Sequence, residues 1–357
     1  MIKIMISFLG TIFILFSSSA VFSARMVITG STTVQPIAEK IAEFYKSENP
    51  NVEIEISGGG SGNGIKAIID GTTDIGNASR FIKEKEVQYA FGKGVYPIPF
   101  RIAYDCIIPV VHLKNKVSNL SLEQIRQIFT GDIKNWKELG GGDMPIKVLS
   151  RDSSSGTYEV WNKKVMNDMN VFPGAQLESS NGDVVKTVAV NENAIGYIGL
   201  GYLTKKVKSI KVDNIEGSSK TTLEGTYPIS RPLFMFTNSW PKGDTLKFLN
   251  YVLEPGRGQK VVADAGFVAL YESGGGFHQM QIQSPDPYYI YETISNIMMV
   301  QRSLNKLGYT AGPVDGIKGE KTFSAVKAFQ KDNNLPIDWL ISNKMMSMLT
   351  EQCIKIK

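Results

Sequence analysis

Ser150-Arg151-Asp152-Ser153-Ser154-Ser155-Gly156-Thr157 runs directly into Tyr158-Glu159-Val160-Trp161. The order is strand end, arginine, hydroxyl-rich turn, helix start. A helix N-terminus leaves backbone N–H groups unpaired and carries a partial positive charge. The reading places Ser155, Gly156 and Thr157 in that first turn, where an anion can approach the backbone. Arg151 adds a guanidinium fork suited to a tetrahedral oxyanion. Taken alone, the stretch reads equally well as an ordinary Ser/Thr cap beside an exposed arginine.

Two earlier stretches repeat the pattern. Arg25 to Thr29 is a short strand, Gly30-Ser31-Thr32-Thr33 breaks it, and Val34 to Tyr45 follows with helical spacing of Ile37, Ile41, Phe44 and Tyr45. Asn51 to Ser57 alternates as a strand, Gly58 to Gly64 (GGGSGNG) breaks it, and a helix is expected over Ile65 to Asp70. Glycines between strand and helix argue for close backbone approach. A nucleotide P-loop is excluded because Gly64 is followed by Ile65-Lys66, and a nucleophile elbow because Ser61 lacks the second glycine of G-x-S-x-G. Turns around Thr32, Ser61 and Ser155 thus each open a helix. In an α/β sheet, ligands bind at the carboxyl ends of strands. If the three turns converge, hydroxyls and backbone N–H groups hold an anion there.

The middle of the chain keeps the α/β texture. Strands are expected over Ile107 to Val111, Ile146 to Leu149, Ala194 to Gly199 and Tyr227 to Phe236. Helices are expected over Ser121 to Phe129, with Ser121 and Gln124 as a capping box, over Val184 to Val190 and over Asp244 to Leu253. Gly266 to Leu270 closes this part, and Glu272 to Pro287 has a linker composition.

Length and composition set the outer bounds. The chain has 357 residues, 42% hydrophobic and 20% charged, with a net charge of +5 spread without blocks. That leaves room for two or three domains and gives no nucleic-acid footprint. Residues 1–23 read as a secretory signal peptide, with Lys3 before the apolar run Ile4 to Phe16 and small residues after it. That run is shorter than the roughly 20 residues that span a bilayer. Cys106 and Cys353 stand far apart in sequence, so no structural disulfide and no Cys/His metal cluster is expected.

With these residues assembled, the chain resembles the PstS-type substrate-binding family, the periplasmic phosphate receptors of ABC importers. The resemblance spans about Arg25 to Leu270. It rests on GSTTVQPIAE, GGGSGNGIKAIIDGTTDIGNASR, SRDSSSGT, AIGYIGLGY, YPISRPL and FLNYVLEPGRGQKVVADAGFVAL, in family order. It implies an α/β, two-lobed periplasmic-binding-protein fold of type II-like form, closing on one phosphate. The implied phosphate-binding residues are Thr32, Thr33, Ser61, Ser79, Arg151, Ser155, Gly156 and Thr157. Several family members carry an aspartate where Ser79 stands, accepting a phosphate proton and rejecting fully ionised sulfate. Here Ser79 is followed by Arg80, as in another branch, so selectivity against sulfate stays open. Asp152 is expected to orient Arg151, with a missing-acceptor role as the alternative.

A second resemblance lies at the C-terminal end. VQRSLNKLGY from Val300 to Tyr309, Gly312 to Gly316, Gly319 to Thr322 and Ala325 to Gln330 are similar to the small three-helix peptidoglycan-binding domain. Leu304, Leu307, Val326, Phe329 and Leu335 would form its core, with the Asp315-Gly316 turn projecting polar groups. That domain often accompanies wall hydrolases, but the two histidines, His112 and His278, read as solvated, and no nucleophile is paired with a base.

The expected organisation is therefore a signal peptide (1–23), a phosphate-binding unit (24–271), a linker (272–291) and a peptidoglycan-binding domain (292–352). Lobe one comprises about 25–100 and 228–271, and lobe two about 101–227. The expected function is non-catalytic: phosphate capture, delivery to the membrane permease of an ABC phosphate importer, and tethering to peptidoglycan. No cofactor, no metal and no nucleic acid is expected, and the protein is expected to be a periplasmic, wall-associated monomer. A wall-bound sensor or scavenger, and a receptor for another oxyanion such as sulfate, are the alternatives.

Overall fold

The structure, a computed structural model, describes residues 25–239, 241–270, 287–314, 319–335, 337, 341 and 343–355. The expected signal peptide, His278 and the Asp315-Gly316 turn lie outside the described residues.

Strand and helix alternate at the start: β1 (Arg25–Gly30), α1 (Gln35–Glu48), β2 (Glu53–Ser57), α2 (Ser61–Asp70), β3 (Ile75–Ala78) and α3 (Glu84–Gly92). Parallel pairing of β1 with β2 and β3 follows from these crossover helices. One face of the sheet buries Ile28 and Ile75 against Ile37, Ile41 and Tyr45 of α1, and the other packs Ala78 against Ile65, Ile68 and Ile69 of α2. Phe44, read as part of the α1 stripe, is instead 52% exposed. Lying one position before Tyr45, it points about 100° away around the helix. α2 begins at Ser61 rather than at Ile65, because Gly60 at φ 101° supplies the cap and lets the glycine-rich segment wind directly into helix.

β4 (Pro97–Val111) is three times the length of the strand expected over Ile107 to Val111. Pro97 and Pro99 obscured its first half, since proline reads as a strand breaker. The chain then builds a second α/β layer: β5 (Asn119–Leu120), α4 (Leu122–Thr130), β6 (Lys147–Arg151), α5 (Gly156–Lys164), β7 (Gln176–Glu178), α6 (Asn181–Val190), β8 (Ala194–Gly199), β9 (Lys208–Ser209), β10 (Lys211–Val212) and α7 (Ser219–Leu223). The capping box expected on α4 forms: the Ser121 hydroxyl accepts from the Gln124 N–H, and the Gln124 carboxamide accepts from the Ser121 N–H. The core here contains Phe129, Trp136, Trp161 and Tyr197, and burying each such side chain contributes on the order of 1.5–3 kcal/mol. Tyr197 stacks on Trp161 at 4.2 Å between ring centroids.

β11 (Ser230–Asn238) returns to the first layer, followed by α8 (Gly243–Leu253) and α9 (Gly258–Asp264), which pack on α1. β11 runs antiparallel along β4 from Asn238↔Pro97 to Ser230↔Cys106, and beyond that point β4 pairs with β8. The sheet order β2-β1-β3-β11-β4-β8-β6-β7 therefore carries two α/β lobes on one pair of crossover strands.

The C-terminal helices are α10 (Pro287–Lys306), α11 (Glu320–Asp332) and α12 (Asn343–Lys355). α10 begins inside the stretch read as linker, with proline at a position that tolerates it. Leu304, Val326, Phe329 and Leu335 are buried together, with Leu307 packed against them. Ile98 of β4 joins this cluster, and Arg302 donates to the Tyr96 hydroxyl at 2.5 Å with its guanidinium 4.7 Å above that ring. Cys106 is buried and Cys353 half-buried, both as free thiols.

Candidate functional site

The parallel strands of both lobes end at a shared cleft, and their following turns meet there. From lobe one come the β1–α1 turn with Ser31, Thr32 and Thr33, the first residue of α2, Ser61, and Ser79 just beyond β3. From lobe two come Arg151 at the end of β6 and Ser155, Gly156 and Thr157 at the start of α5.

The β1–α1 turn is organised by Ser31, whose hydroxyl accepts from the N–H groups of Thr33 and Val34 at 3.2 and 3.4 Å. This leaves the Thr33 hydroxyl facing lobe two. It lies 3.0 Å from the Thr157 hydroxyl and accepts from the Asn181 amide at 3.0 Å and from Arg231 Nη2 at 3.4 Å. Ser61 accepts from the Ser79 N–H at 2.9 Å, and their hydroxyls are 3.3 Å apart. Ser31, Thr33, Ser61, Ser79, Arg151, Ser155 and Thr157 are each no more than 2% exposed.

Closeness of the two lobes explains two glycines. A Cβ on Gly156 would sit 2.2 Å from the Ser61 hydroxyl and 2.8 Å from that of Ser79, and one on Gly60 would sit 2.6 Å from the Ser154 carbonyl. Further bonds cross the cleft: Gly62 N–H to the Ser154 carbonyl at 3.0 Å, the Ser154 hydroxyl to the Gly59 carbonyl at 3.1 Å, and the Tyr202 hydroxyl to the Thr32 carbonyl at 2.5 Å. The lobes are closed on each other.

Ser155 does cap α5, its hydroxyl accepting from the Tyr158 N–H at 3.2 Å, but the plain-cap reading fails at Arg151, which is 2% exposed. Its Nε donates to the Glu178 carbonyl and its Nη2 to the Ser179 carbonyl, each at 2.9 Å, and Nη2 reaches the Thr32 hydroxyl at 3.3 Å. Its Nη1 is buried without a hydrogen-bond partner. Burial pulls the guanidinium below its ordinary range, yet arginine keeps its charge in proteins. Asp152 does not orient Arg151 as expected. Its carboxylate instead accepts from the N–H and hydroxyl of Ser154, closing the hydroxyl-rich turn, while two carbonyls of the following lobe-two segment hold the arginine.

The charge balance is informative. Arg231 pairs through Nε and Nη2 with Asp105 Oδ2 at 3.0 and 2.8 Å, both side chains almost fully buried. Burial pushes the Asp105 carboxyl up, opposed by the Arg231 charge and the Leu200 N–H. Arg80 is paired with Glu86 and Glu159. Among the described residues, Arg151 is the buried arginine of the cleft whose hydrogen bonds go to neutral groups alone, with the adjacent Asp152 as the opposing charge, so an unused cationic donor is left in the cleft. An isolated buried charge is costly; an oxyanion held there offsets that cost.

Sequence reasoning missed Ser31, Asp105, Asn181, Tyr202 and Arg231. For Asp105 and Arg231 a partial signal existed, a charged residue within each of two largely apolar strands, but the register that sets them opposite each other is not written in the sequence. Asn181 and Tyr202 carry no such mark, because only the packing of α6 and of the segment after β8 brings them to Thr33 and Thr32. His112 is peripheral, accepting at Nδ1 from the Lys114 N–H.

Two α/β lobes, two crossover strands and a cleft lined by strand-end donors define a two-lobed ligand-binding protein. A family profile described as "PBP superfamily domain" matches residues 17–255, and one described as "Putative peptidoglycan binding domain" matches residues 293–339. The phosphate-binding protein PstS of Bacillus subtilis is 33% identical over 249 residues, covering 70% of this chain and 81% of that protein. A protein from Clostridium perfringens described as a "Putative Phosphate ABC Transporter Substrate-Binding Protein with Bound Phosphate" is 36% identical with a TM-score of 0.64, covering 69% of this chain and 99% of that one. An ABC-type phosphate transport receptor from Vibrio cholerae is 31% identical with a TM-score of 0.57, covering 68% and 99%. The chain belongs to the periplasmic-binding-protein superfamily and, within it, to the PstS family.

Proposed function

We propose that the chain is a secreted receptor that captures inorganic phosphate between its lobes, delivers it to the membrane permease of an ABC importer, and is tethered to peptidoglycan by its C-terminal helices. The observation that carries the reading is the buried, unpartnered Nη1 of Arg151, whose Nη2 reaches across to the Thr32 hydroxyl of the other lobe. In this reading Arg151 supplies the charge. Thr32, Thr33, Ser61, Ser79, Ser155 and Thr157 supply hydroxyl donors, and the α5 N-terminus at Gly156 supplies backbone N–H groups. A hydroxyl both donates and accepts, so this set can serve a protonated phosphate. Bound phosphate favours the closed arrangement because only that arrangement assembles both halves of the donor set. Nothing in this chemistry calls for a cofactor, and the chain acts as a monomer outside the cytoplasmic membrane.

Calorimetric titration of the full chain against phosphate and sulfate in parallel, at several pH values, tests this. Heat with phosphate is expected. Heat with sulfate alone overturns it. For tethering, the full chain should pellet with purified peptidoglycan while a chain ending at Leu270 stays in solution; equal behaviour of the two rejects the anchor.

A further inference from the structure

Beside the anion site, but not part of it, lies an ion cluster shared by the two lobes. Arg80 is 4% exposed and is fixed within lobe one: its Nη1 and Nη2 each donate to a Glu86 carboxylate oxygen at 2.8 Å, and Nη1 also donates to the Phe81 carbonyl at 2.8 Å. Glu86 in turn accepts from the Lys83 N–H at 2.8 Å, so the turn carrying Lys83 is held as well. Into this prepared cluster comes Glu159 from the first turn of α5 in lobe two. One carboxylate oxygen lies 3.0 Å from Arg80 Nε and the other 2.6 Å from Lys83 Nζ.

The asymmetry of the cluster matters. When the lobes part, Arg80 keeps Glu86 as its counter-ion, and Lys83, with a side chain 41% exposed, returns to water. Within this cluster, the Glu159 contacts are the ones that cross between the lobes and so are made and broken by lobe movement. Because the Arg80 side is already ordered, forming them costs little conformational entropy. The Glu159 side chain is 14% exposed in the closed form, so its attraction to Arg80 is only weakly screened by salt, while that to the rim lysine is screened more.

We propose that Glu159 is an interlobe latch: its ion pairs with Arg80 and Lys83 hold the closed form and set how slowly the bound anion leaves. The proposal rests on the phosphate reading for its ligand, but not for its geometry. Glu159 is a positioning residue with no part in contacting the anion. Buried charge pairs act mainly on dissociation, and rim charges on association and salt dependence.

The test is stopped-flow release and binding of inorganic phosphate by the full chain, using Glu159→Gln and, because Lys83 is exposed enough to be replaced without risk to folding, Lys83→Met. Release from Glu159→Gln should be about tenfold faster than from the parent, with association within about twofold, and Lys83→Met should show a smaller, salt-dependent acceleration. Small-angle scattering of the ligand-free proteins gives a second readout, in which Glu159→Gln should be more open than the parent. Release at the parental rate from both variants, with unchanged scattering, overturns the latch. A parent that gives no phosphate signal overturns the phosphate reading instead, and scattering then decides the latch by itself.

Discussion

The hydroxyl of Thr33 in lobe one lies 3.0 Å from that of Thr157 in lobe two, although 124 positions separate them in the chain. The contact joins the first and third of the hydroxyl-bearing turns. It also places the α5 N-terminus against the β1–α1 turn, so the strand-end donors of both lobes share one cleft. Asn181 and Arg231 donate to the same Thr33 oxygen, which ties the cleft to α6 and to the crossover strand β11.

Arg151 should be irreplaceable by lysine. Lysine keeps the charge but cannot reproduce the fork that bonds the Glu178 and Ser179 carbonyls while leaving Nη1 unused. Arg151→Lys is expected to weaken phosphate binding by about 1.5–3 kcal/mol, and Arg151→Ala by at least as much. Titration calorimetry reads this directly, and parental affinity in Arg151→Lys would contradict the assignment.

The proposed place of Ser79 at the ligand predicts weaker discrimination than a carboxylate would give. Its hydroxyl can donate to sulfate as readily as it accepts from phosphate, whereas a carboxylate only accepts. Ser79→Asp is therefore expected to raise the ratio of phosphate to sulfate affinity by tenfold or more, on the order of 1.4 kcal/mol, through repulsion of the unprotonated anion. Competition binding with both anions measures the ratio; an unchanged ratio would show that position 79 does not face the ligand.

The Asp105–Arg231 pair should be structural as well as positioning. Removing one partner strands the other in a buried site, so Asp105→Ala should cost about 3–5 kcal/mol in urea unfolding. The double variant Asp105→Leu, Arg231→Met should recover much of that loss in stability, because neither charge is left alone. It should not fully recover ligand affinity, since one of the two donors to Thr33 is gone and Asn181 alone remains.

Asp183 gives a pH signature. Hydrogen bonds from the Ser179 and Ser180 hydroxyls hold its carboxyl down at about 2 against an ordinary value of 3.8. A lowered folded-state value means stabilisation that is fully present above the unfolded value and lost as the pH falls from about 4 through about 2. Asp183→Asn should lower the melting temperature at neutral pH, by an amount consistent with about 0.3–1 kcal/mol for an acidic residue in a first helical turn. The gap between the two proteins should close across that acid window. A gap that persists at pH 2 would assign the effect to packing.

Local chemistry made much of this protein legible before any fold was known. Strand, hydroxyl turn and helix start recur around Thr32, Ser61 and Ser155 because backbone geometry and capping are short-range, and so are the apolar stripes of α1 and of the C-terminal helices. Where proline masked a strand, as at Pro97 and Pro99 in β4, or where one residue sat off a stripe, as Phe44 does, the local signal misled. Tertiary structure decided what depends on distant segments meeting. It gave Arg151 the Glu178 and Ser179 carbonyls in place of Asp152, and it set Arg231 on Asp105 and Glu159 beside Arg80. Those partners are specified by sheet register and lobe closure, which act between residues far apart in the chain. The stretch from Ser150 to Thr157 therefore reads as an anion-friendly helix cap by itself. It becomes half of a clamp only because β4 and β11 carry the other half to face it.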